Sequence, residues 1–188
     1  MNKKRLPLTV VLGAAGIAVV TASVWPDGEE KPPLPQTLCY GALSRQTAEL
    51  IDDGKGGEVS AEEWQSKGKG TDYVVFKGCQ VMRANPDSDC PRGIFQLVIS
   101  DERYDSGPRK NSVPLGAGLK GWVRPDEAEA TLPVGCAARL GSTAPYITVT
   151  LKTPSQEEKG LVDRDTAIRR NTTVMREAAT DLTRAAGC

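Results

Sequence analysis

Histidine is missing from this chain of 188 residues, and aromatic residues make up only 5% of it. Without histidine there is no Ser-His-Asp triad, no Cys-His catalytic pair and no HExxH zinc helix. The formal net charge is zero, because 24 Lys and Arg residues balance 24 Asp and Glu residues. A protein that binds nucleic acid electrostatically needs a basic face to displace phosphate counterions, so we expect no nucleic-acid partner.

The N-terminal residues combine a basic cluster with a long apolar run. The cluster Lys3-Lys4-Arg5 precedes a stretch without charge that ends at Pro26. Fourteen of the twenty residues 6–25 are apolar, and twenty helical residues rise about 30 Å, which is enough to cross the hydrocarbon core of a bilayer. Because the basic residues lie on one side only, the positive-inside rule places the N-terminus in the cytoplasm and the rest of the chain outside.

Two interpretations of this apolar segment remain open. A cleaved signal peptide has a shorter apolar region of about 7–15 residues and small residues at its cleavage site. Val20-Thr21-Ala22 fits such a site, and cleavage there leaves a secreted protein. The length of the run favours an uncleaved signal anchor instead. The resulting prediction is a cytoplasmic stub at 1–5, a transmembrane signal anchor at 6–25, a Pro-rich linker at 26–37 and an extracytoplasmic domain at 38–188.

All five cysteines lie in the part of the chain that we expect outside the cell, where disulfides form. No C-x-x-C spacing is present, which argues against a metal site. Spacing does not fix the connectivity, and five cysteines leave one over if two bridges form. We predict the bridges Cys39–Cys79 and Cys136–Cys188, with Cys90 either free or paired with a partner molecule. A bridge at the last residue would hold a C-terminal helix in place.

Hydrophobic periodicity predicts an α+β domain, in which an antiparallel sheet is covered by a long C-terminal helix. The predicted strands are 73–82 with an interruption at Gly78, 94–99 as its hairpin partner, 119–123, 136–140 and 146–151. Helical spacing predicts a short helix at 44–51 and a long helix at 163–186, which ends at Gly187. A Gly-Cys pair before a strand occurs twice, at 78–79 and 135–136, and indicates two duplicated halves.

Two short motifs are better explained by local structure than by a bound ligand. Residues 52–63 follow the EF-hand register, but glycines occupy its third and fifth positions and supply no side-chain oxygen, so we expect no calcium site. Ser60 and Glu63 instead predict a capping box before a short helix. Residues 116–121 match G-x-G-x-x-G, but a polar loop precedes them and a strand follows, which is not the order of a dinucleotide site.

Carboxylates and tryptophans are the remaining candidates for a functional site. The acidic candidates for general acid–base chemistry are Asp101, Glu102, Asp105, Asp126, Glu127 and Glu129. Trp64 and Trp122 are candidates for an exposed aromatic binding patch, although either also suits the core. A hydrolase would bring two carboxylates into one concave pocket, whereas a binding module would expose an apolar or aromatic patch.

Four motifs carry a resemblance to a known family. They are Cys39-Tyr40-Gly41-Ala42-Leu43, Leu115-Gly116-x-Gly118-Leu119-x-Gly121, Leu132-Pro133 shortly before Cys136, and an Ala-rich helix that ends in Gly187-Cys188. Over most of residues 38–188 the chain resembles a family of uncharacterised exported or membrane-anchored proteins of streptomycetes and related actinobacteria. Tyr40 stands where that family usually has Trp. The resemblance implies an envelope location and a disulfide-stapled fold, and it transfers no active residues.

Taken together, these patterns predict a single-pass membrane protein whose outer domain is a binding or interaction module of the cell envelope. The expected partners are the membrane, through residues 6–25, and another envelope protein. We assign no catalytic residue, no cofactor and no metal ligand. The alternatives are a carboxylate-dependent hydrolase and a protein secreted after cleavage near Ala22.

Overall fold

The computed structural model describes residues 34–55, 57–66, 75–85, 88–154 and 162–188. The predicted cytoplasmic stub and transmembrane anchor, most of the linker, and the start of the predicted strand at Tyr73 lie outside the described residues. Within the described residues, no helix has the length and hydropathy needed to cross a bilayer.

The described chain forms a mixed α and β domain around one large antiparallel sheet. Its strands are β1 (Thr37–Leu38), β2 (Leu43–Ser44), β3 (Val59–Ser66), β4 (Phe76–Asn85), β5 (Ser88–Glu102), β6 (Val113–Gly116), β7 (Leu119–Val123), β8 (Glu127–Thr131) and β9 (Tyr146–Lys152). Its helices are α1 (Arg45–Ala48), which continues into a 3₁₀ turn (Glu49–Ile51), α2 (Cys136–Arg139) and α3 (Arg164–Ala186). Seven strands form the main sheet in the order β3-β4-β5-β9-β8-β7-β6, while β1 and β2 pair separately. The predicted α+β class is therefore confirmed.

The main sheet has two chemically different faces, because side chains alternate along each strand. One face carries apolar side chains that lie opposite each other in register, such as Leu97 and Leu151 or Ile99 and Val149. We call this side the covered face; it is made by Cys79, Val81, Leu97, Ile99, Ala128, Ala130, Val149 and Leu151, all of them buried. The opposite side is the open face; it is made by Gln80, Gln96, Val98, Ser100, Trp122, Glu129, Thr131, Thr148 and Thr150.

Helix α3 packs on the covered face. Its buried residues are Ala167, Asn171, Val174, Met175, Ala178 and Ala179, which recur at the three- and four-residue spacing of one helical stripe. The side-chain oxygen of Asp163 accepts the backbone N–H of Thr166 and caps the helix, and Gly187 ends it with a φ of 67°. The predicted C-terminal helix is therefore confirmed over nearly its whole length.

Two disulfides tie outer elements to this layer. Cys39, in the turn between β1 and β2, is bonded to Cys79 of β4 with a Cα–Cα distance of 5.1 Å. Cys136, at the start of α2, is bonded to Cys188 with a Cα–Cα distance of 5.3 Å. These are the same two pairs that the sequence predicts. Cys90 is exposed on β5 and forms no bridge within the described chain.

The predicted strand 136–140 is wrong, because residues 136–139 form α2 and Leu140 is its C-terminal cap. Gly135 adopts a φ of 97° just before the helix, which turns the chain out of the extended conformation. Ala137 and Ala138 then favour helix over strand. The repeated Gly-Cys pair consequently marks no equivalent positions, since Cys79 lies in a strand and Cys136 in a helix.

The predicted capping box at Ser60 and Glu63 is also wrong, because both residues lie in β3. This strand pairs with β4 from Val59 to Ser66, so the sheet satisfies its backbone groups. Gly78 does not interrupt β4 either. The indole of Trp64 lies across Gly78 from the neighbouring strand, and a Cβ there would come within 2.0 Å of that ring.

Candidate functional site

A cavity of about 350 Å³ lies on the open face, between β7 and β8 and the loop of residues 103–112. Its volume falls at the lower end of the range typical of small-molecule sites. Trp122, Glu129 and Thr131 contribute to the floor, and Asp105 and Arg109 of the loop contribute to the rim. The site therefore combines a buried floor with an exposed, charged rim.

Glu129 is the central polar group of the floor, and the residue is only 8% exposed. Its Oε1 accepts a short hydrogen bond from the hydroxyl of Ser106 and one of 3.3 Å from the indole N–H of Trp122. Within the described residues, Oε2 receives no hydrogen bond and Glu129 belongs to no ion pair. A buried carboxylate is costly unless donors compensate its charge. The chain thus compensates one oxygen of Glu129 and leaves the other as an acceptor.

Strand register puts this carboxylate in place. Glu129 lies opposite Trp122 of β7 and opposite Thr150 of β9, so the three side chains share the open face. Gly121 allows β7 and β8 to approach closely, since a Cβ at this position would come within 2.1 Å of the carbonyl oxygen of Glu129. A larger residue at position 121 would separate the two strands that build the floor.

Two cationic side chains lie at the rim, Lys120 and Arg109, and within the described residues only Lys120 is ion-paired. The ammonium group of Lys120 forms an ion pair with Asp105 and lies 5.8 Å from the centroid of the Tyr146 ring. The hydrogen bond with Asp105 is the main reason that the pKa of Lys120 is raised. The guanidinium of Arg109 lies 5.8 Å from the centroid of the Trp122 ring and forms no ion pair in the described part of the chain. Arg109 is therefore the rim cation without an anionic partner there.

The two tryptophans do not form an exposed aromatic patch. Trp122 is 2% exposed and lies beneath Arg109. Trp64 is half-buried on β3, where its ring covers Gly78 and its carbonyl oxygen accepts the hydroxyl of Tyr40. The open face thus offers a cavity, rather than the flat patch that the sequence suggested for a binding module.

The cavity brings together two of the six predicted acidic candidates, Asp105 and Glu129. The other four candidates lie outside the cavity lining. Asp101 accepts a hydrogen bond from the hydroxyl of Ser142, and Glu102 accepts one from the hydroxyl of Ser100. Asp126 forms an ion pair with Arg124, and Glu127 lies in β8 outside the cavity. Proximity in the sequence therefore did not indicate which carboxylates share a site.

The EF-hand-like segment forms ion pairs instead of a cation site. Asp52 and Asp53 both bind the guanidinium of Arg83, which is 1% exposed, and Asp53 also binds Arg92. Burial raises the pKa of Asp53, but the backbone N–H of Lys55 and the two arginines lower it below its ordinary value on balance. No cluster of three or more metal-ligating side chains occurs among the described residues.

The G-x-G-x-x-G segment is the tight turn between β6 and β7. Gly116, Ala117 and Gly118 all have positive φ angles, which suits a hairpin and not the strand-to-helix turn that binds a dinucleotide. This outcome agrees with the expectation that a strand, and not a helix, follows the motif.

Ser106, Arg109 and Lys120 were not predicted as site residues. Ser106 contacts Glu129 across 23 positions, and Arg109 contacts Trp122 across the β6–β7 hairpin. The polar segment that contains Ser106 and Arg109 gives no periodic signal, so only the fold shows where it lies. No protein-family model, curated protein or solved structure matches this chain.

Proposed function

We propose that this protein is a membrane-anchored, extracytoplasmic binding module of the cell envelope and that the open-face cavity is its ligand site. The observation that carries the proposal is Glu129, a residue only 8% exposed at the floor of a cavity of small-molecule size, whose Oε1 accepts two hydrogen bonds and whose Oε2 accepts none within the described residues. Natural folds seldom bury such a group without a use for it, because desolvation of a charge is unfavourable.

Two features support the proposed location, the N-terminal segment and the disulfides of the folded domain. Residues 3–25 combine a basic cluster with an apolar run of membrane-spanning length. The two disulfides of the folded domain are typical of proteins that reach an oxidising compartment. The resemblance to exported and membrane-anchored actinobacterial proteins points to the same place, and another envelope protein remains the proposed macromolecular partner.

A carboxylate-dependent hydrolase is less well supported. Such an enzyme needs one carboxyl group as a general acid and a second as a base or nucleophile. Asp105 and Glu129 line the same cavity, which meets the first geometric requirement. However, Asp105 is ion-paired with Lys120, and Glu129 is held by Ser106 and Trp122. Both carboxylates act as anchored acceptors, which suits binding better than proton transfer.

We also propose that the domain consists of two duplicated halves, on the evidence of topology rather than of the Gly-Cys pairs. Strands β3-β4-β5 and strands β7-β8-β9 are both three-stranded meanders, and the last strand of each meets the other at the centre of the sheet. A two-fold axis between β5 and β9 would exchange the meanders, with β6 as an addition at one edge.

A ligand panel tests the binding proposal. The full chain in detergent micelles is incubated with amino acids and short peptides, with saccharides, and with phosphorylated metabolites, and its Tm is measured. A ligand that binds only the folded state stabilises it by about 2.7 kcal/mol at a concentration of one hundred times Kd. At least one ligand class should raise the Tm of the wild type. The same class should raise the Tm of Ser88→Trp, a control at the exposed start of β5. It should not raise the Tm of Ser112→Trp, in which the new side chain fills the cavity. No shift with any class, or a shift that survives Ser112→Trp, would overturn the proposal.

Intact mass tests the proposed anchor. Protein extracted from membranes is alkylated without reduction and weighed. The full-length mass with one alkyl group is expected, since Cys90 is the unbridged cysteine. Loss of residues 1–22 would show a secreted protein, and five alkyl groups would remove the disulfide argument for an extracytoplasmic location.

A further inference from the structure

We infer that the ligand of the open-face cavity is a small zwitterion, a free amino acid or short peptide, whose amine binds Glu129 and whose carboxylate binds Arg109. This inference rests on the proposed function and specifies the ligand class for the same site. It follows from the charges of the floor and rim, from the state of the indole between them and from the size of the cavity.

The floor selects a cationic donor. The two hydrogen bonds to Oε1 of Glu129 come from neutral groups, the Ser106 hydroxyl and the Trp122 indole N–H. No cation among the described residues pairs with this carboxylate, and its Oε2 is left without a donor there. Charge-assisted hydrogen bonds are roughly twice as strong as neutral ones. A protonated amine therefore gains more from this position than a hydroxyl, and an anionic group is repelled from it.

The rim selects an anion. Lys120 is already ion-paired with Asp105, whereas Arg109 has no ion pair in the described part of the chain. A guanidinium presents donors in a planar fork that matches a carboxylate in bidentate geometry. Contact with the Trp122 ring also restricts where this guanidinium lies. Arg109 is thus the group positioned to bind the carboxylate of a ligand whose amine lies on the floor.

Trp122 contacts both charged side chains, Glu129 through its indole N–H and Arg109 through its ring. Its N–H lies 3.3 Å from Glu129, and its ring lies under Arg109 at 5.8 Å, yet the glutamate and the arginine form no ion pair with each other. The two opposite charges are therefore held apart along one rigid indole. A ligand with both charges can satisfy both ends at once, whereas a ligand with a single charge satisfies only one.

The same indole argues against a saccharide. Sugars commonly stack on an open aromatic face, but the Trp122 residue is 2% exposed and the guanidinium of Arg109 lies over its ring. The cavity of about 350 Å³ corresponds to the volume of about twelve water molecules at about 30 Å³ each. This space suits a single amino acid or a dipeptide rather than a longer chain.

Calorimetric titration of the full chain in detergent micelles tests this inference with three probes. L-Alanyl-L-alanine carries both charges, its N-acetyl derivative lacks the amine charge, and its C-terminal amide lacks the carboxylate. We expect the free dipeptide to bind at least tenfold more tightly than either blocked form. Equal affinity for all three, or no binding of the free dipeptide at millimolar concentration, overturns the inference.

Two variants should then show a crossed pattern. Glu129→Gln should weaken the free dipeptide and the amide about tenfold and leave the N-acetyl form unchanged. Arg109→Gln should weaken the free dipeptide and the N-acetyl form and leave the amide unchanged. Glu127→Gln, on the same strand, and Lys110→Gln, beside the rim, are matched controls outside the cavity lining and should change each Kd less than twofold.

The crossed pattern distinguishes charge recognition from loss of structure, because a misfolded variant would lose all probes equally. Arg109 is exposed, so its substitution leaves the core intact even if Glu129→Gln lowers stability. In one outcome, the dipeptide fails to bind while another ligand class raises Tm in the wild type but not in Ser112→Trp. That result would overturn the zwitterion inference and leave the proposed binding site standing. Failure of every class would overturn the binding module as well.

Discussion

On the covered face of the main sheet, Leu97 and Ile99 are almost fully buried, whereas their neighbours Gln96 and Val98 on the open face remain partly exposed. The covered face receives α3 and the disulfide of Cys79. The open face carries hydroxyl, amide and carboxylate groups, and the cavity lies there. A step of one residue along a strand therefore separates positions that hold the fold together from positions that are available for recognition.

This division explains how a polar cavity with a buried carboxylate is tolerated in a domain of modest size. The hydrophobic core lies on the covered face, and neither Glu129 nor Trp122 of the cavity belongs to it. Substitutions should then affect stability strongly on one face and weakly on the other, and the difference can be measured at adjacent positions.

The largest effect should come from removing the bridge that attaches the β1–β2 turn to the covered face. The double change Cys39→Ala and Cys79→Ala opens a loop with a sequence separation of 40 residues, which the chain-entropy model values at about 4 kcal/mol. Urea unfolding measures the loss. Cys90→Ala is the matched control, because this cysteine is exposed and unbridged, and it should change the unfolding free energy by less than about 0.5 kcal/mol. Equal losses in both proteins would contradict the comparison of the two faces.

A smaller effect should separate two neighbours on β5. Leu97 is 1% exposed and lies on the covered face, so Leu97→Ala should cost about 3 kcal/mol through lost burial and the cavity it leaves. Val98→Ala, on the open face, should cost less than about 1 kcal/mol. Both values come from the same denaturation experiment, and a Val98→Ala loss as large as that of Leu97→Ala would show that the open face is also part of the core.

The smallest effect concerns pH. Glu177 of α3 accepts the backbone N–H of Ser44 at 2.7 Å and a short hydrogen bond from the hydroxyl of Thr47. Burial raises the pKa of Glu177, but these hydrogen bonds lower it below 4.5 on balance. Because the folded-state pKa is depressed, this contribution is present above about pH 4.5 and is lost as the pH falls through the folded-state value.

The wild type should lose unfolding free energy as the pH falls from about 6 to about 3, and Glu177→Gln should lose less. The difference should be below about 1 kcal/mol, because the carboxylate is partly exposed. Denaturation curves at both pH values measure this difference. Glu102→Gln is the control at the exposed end of β5, and it should leave the pH dependence as in the wild type. An unchanged pH dependence in Glu177→Gln would show that the link between α1 and α3 does not depend on charge.

The sequence predicted the elements whose signal is local. Helix α3 and the strand around Val149 have clear periodicity, so they were predicted to within one residue of their observed bounds, whereas the strand predicted at 94–99 extends over the whole of Ser88–Glu102. Strand β8 was missed, because Glu127-Ala128-Glu129-Ala130-Thr131 has almost no β-branched or aromatic residues and becomes a strand only between β7 and β9.

The candidate site was predicted only as separate parts. Trp122 and Glu129 were both named, but for different roles, and their contact arises from the register of two strands that the sequence alone does not align. Arg109 and Ser106 belong to a loop without periodicity. Long-range pairing, rather than any residue preference, decides which side chains share the cavity.

The two disulfides also define a covalent map of the chain. One closes residues 39–79 and the other closes residues 136–188, so the loops neither overlap nor nest. Residues 80–135, which contain the whole 103–112 segment, lie between them. A trypsin cut at the exposed Arg109-Lys110 therefore divides the oxidised protein into two pieces that run separately on a non-reducing gel, whereas a single cut inside either loop leaves one linked species. The two disulfide-closed loops are therefore joined by a single segment without a crosslink, residues 80–135, and this segment supplies the cavity lining.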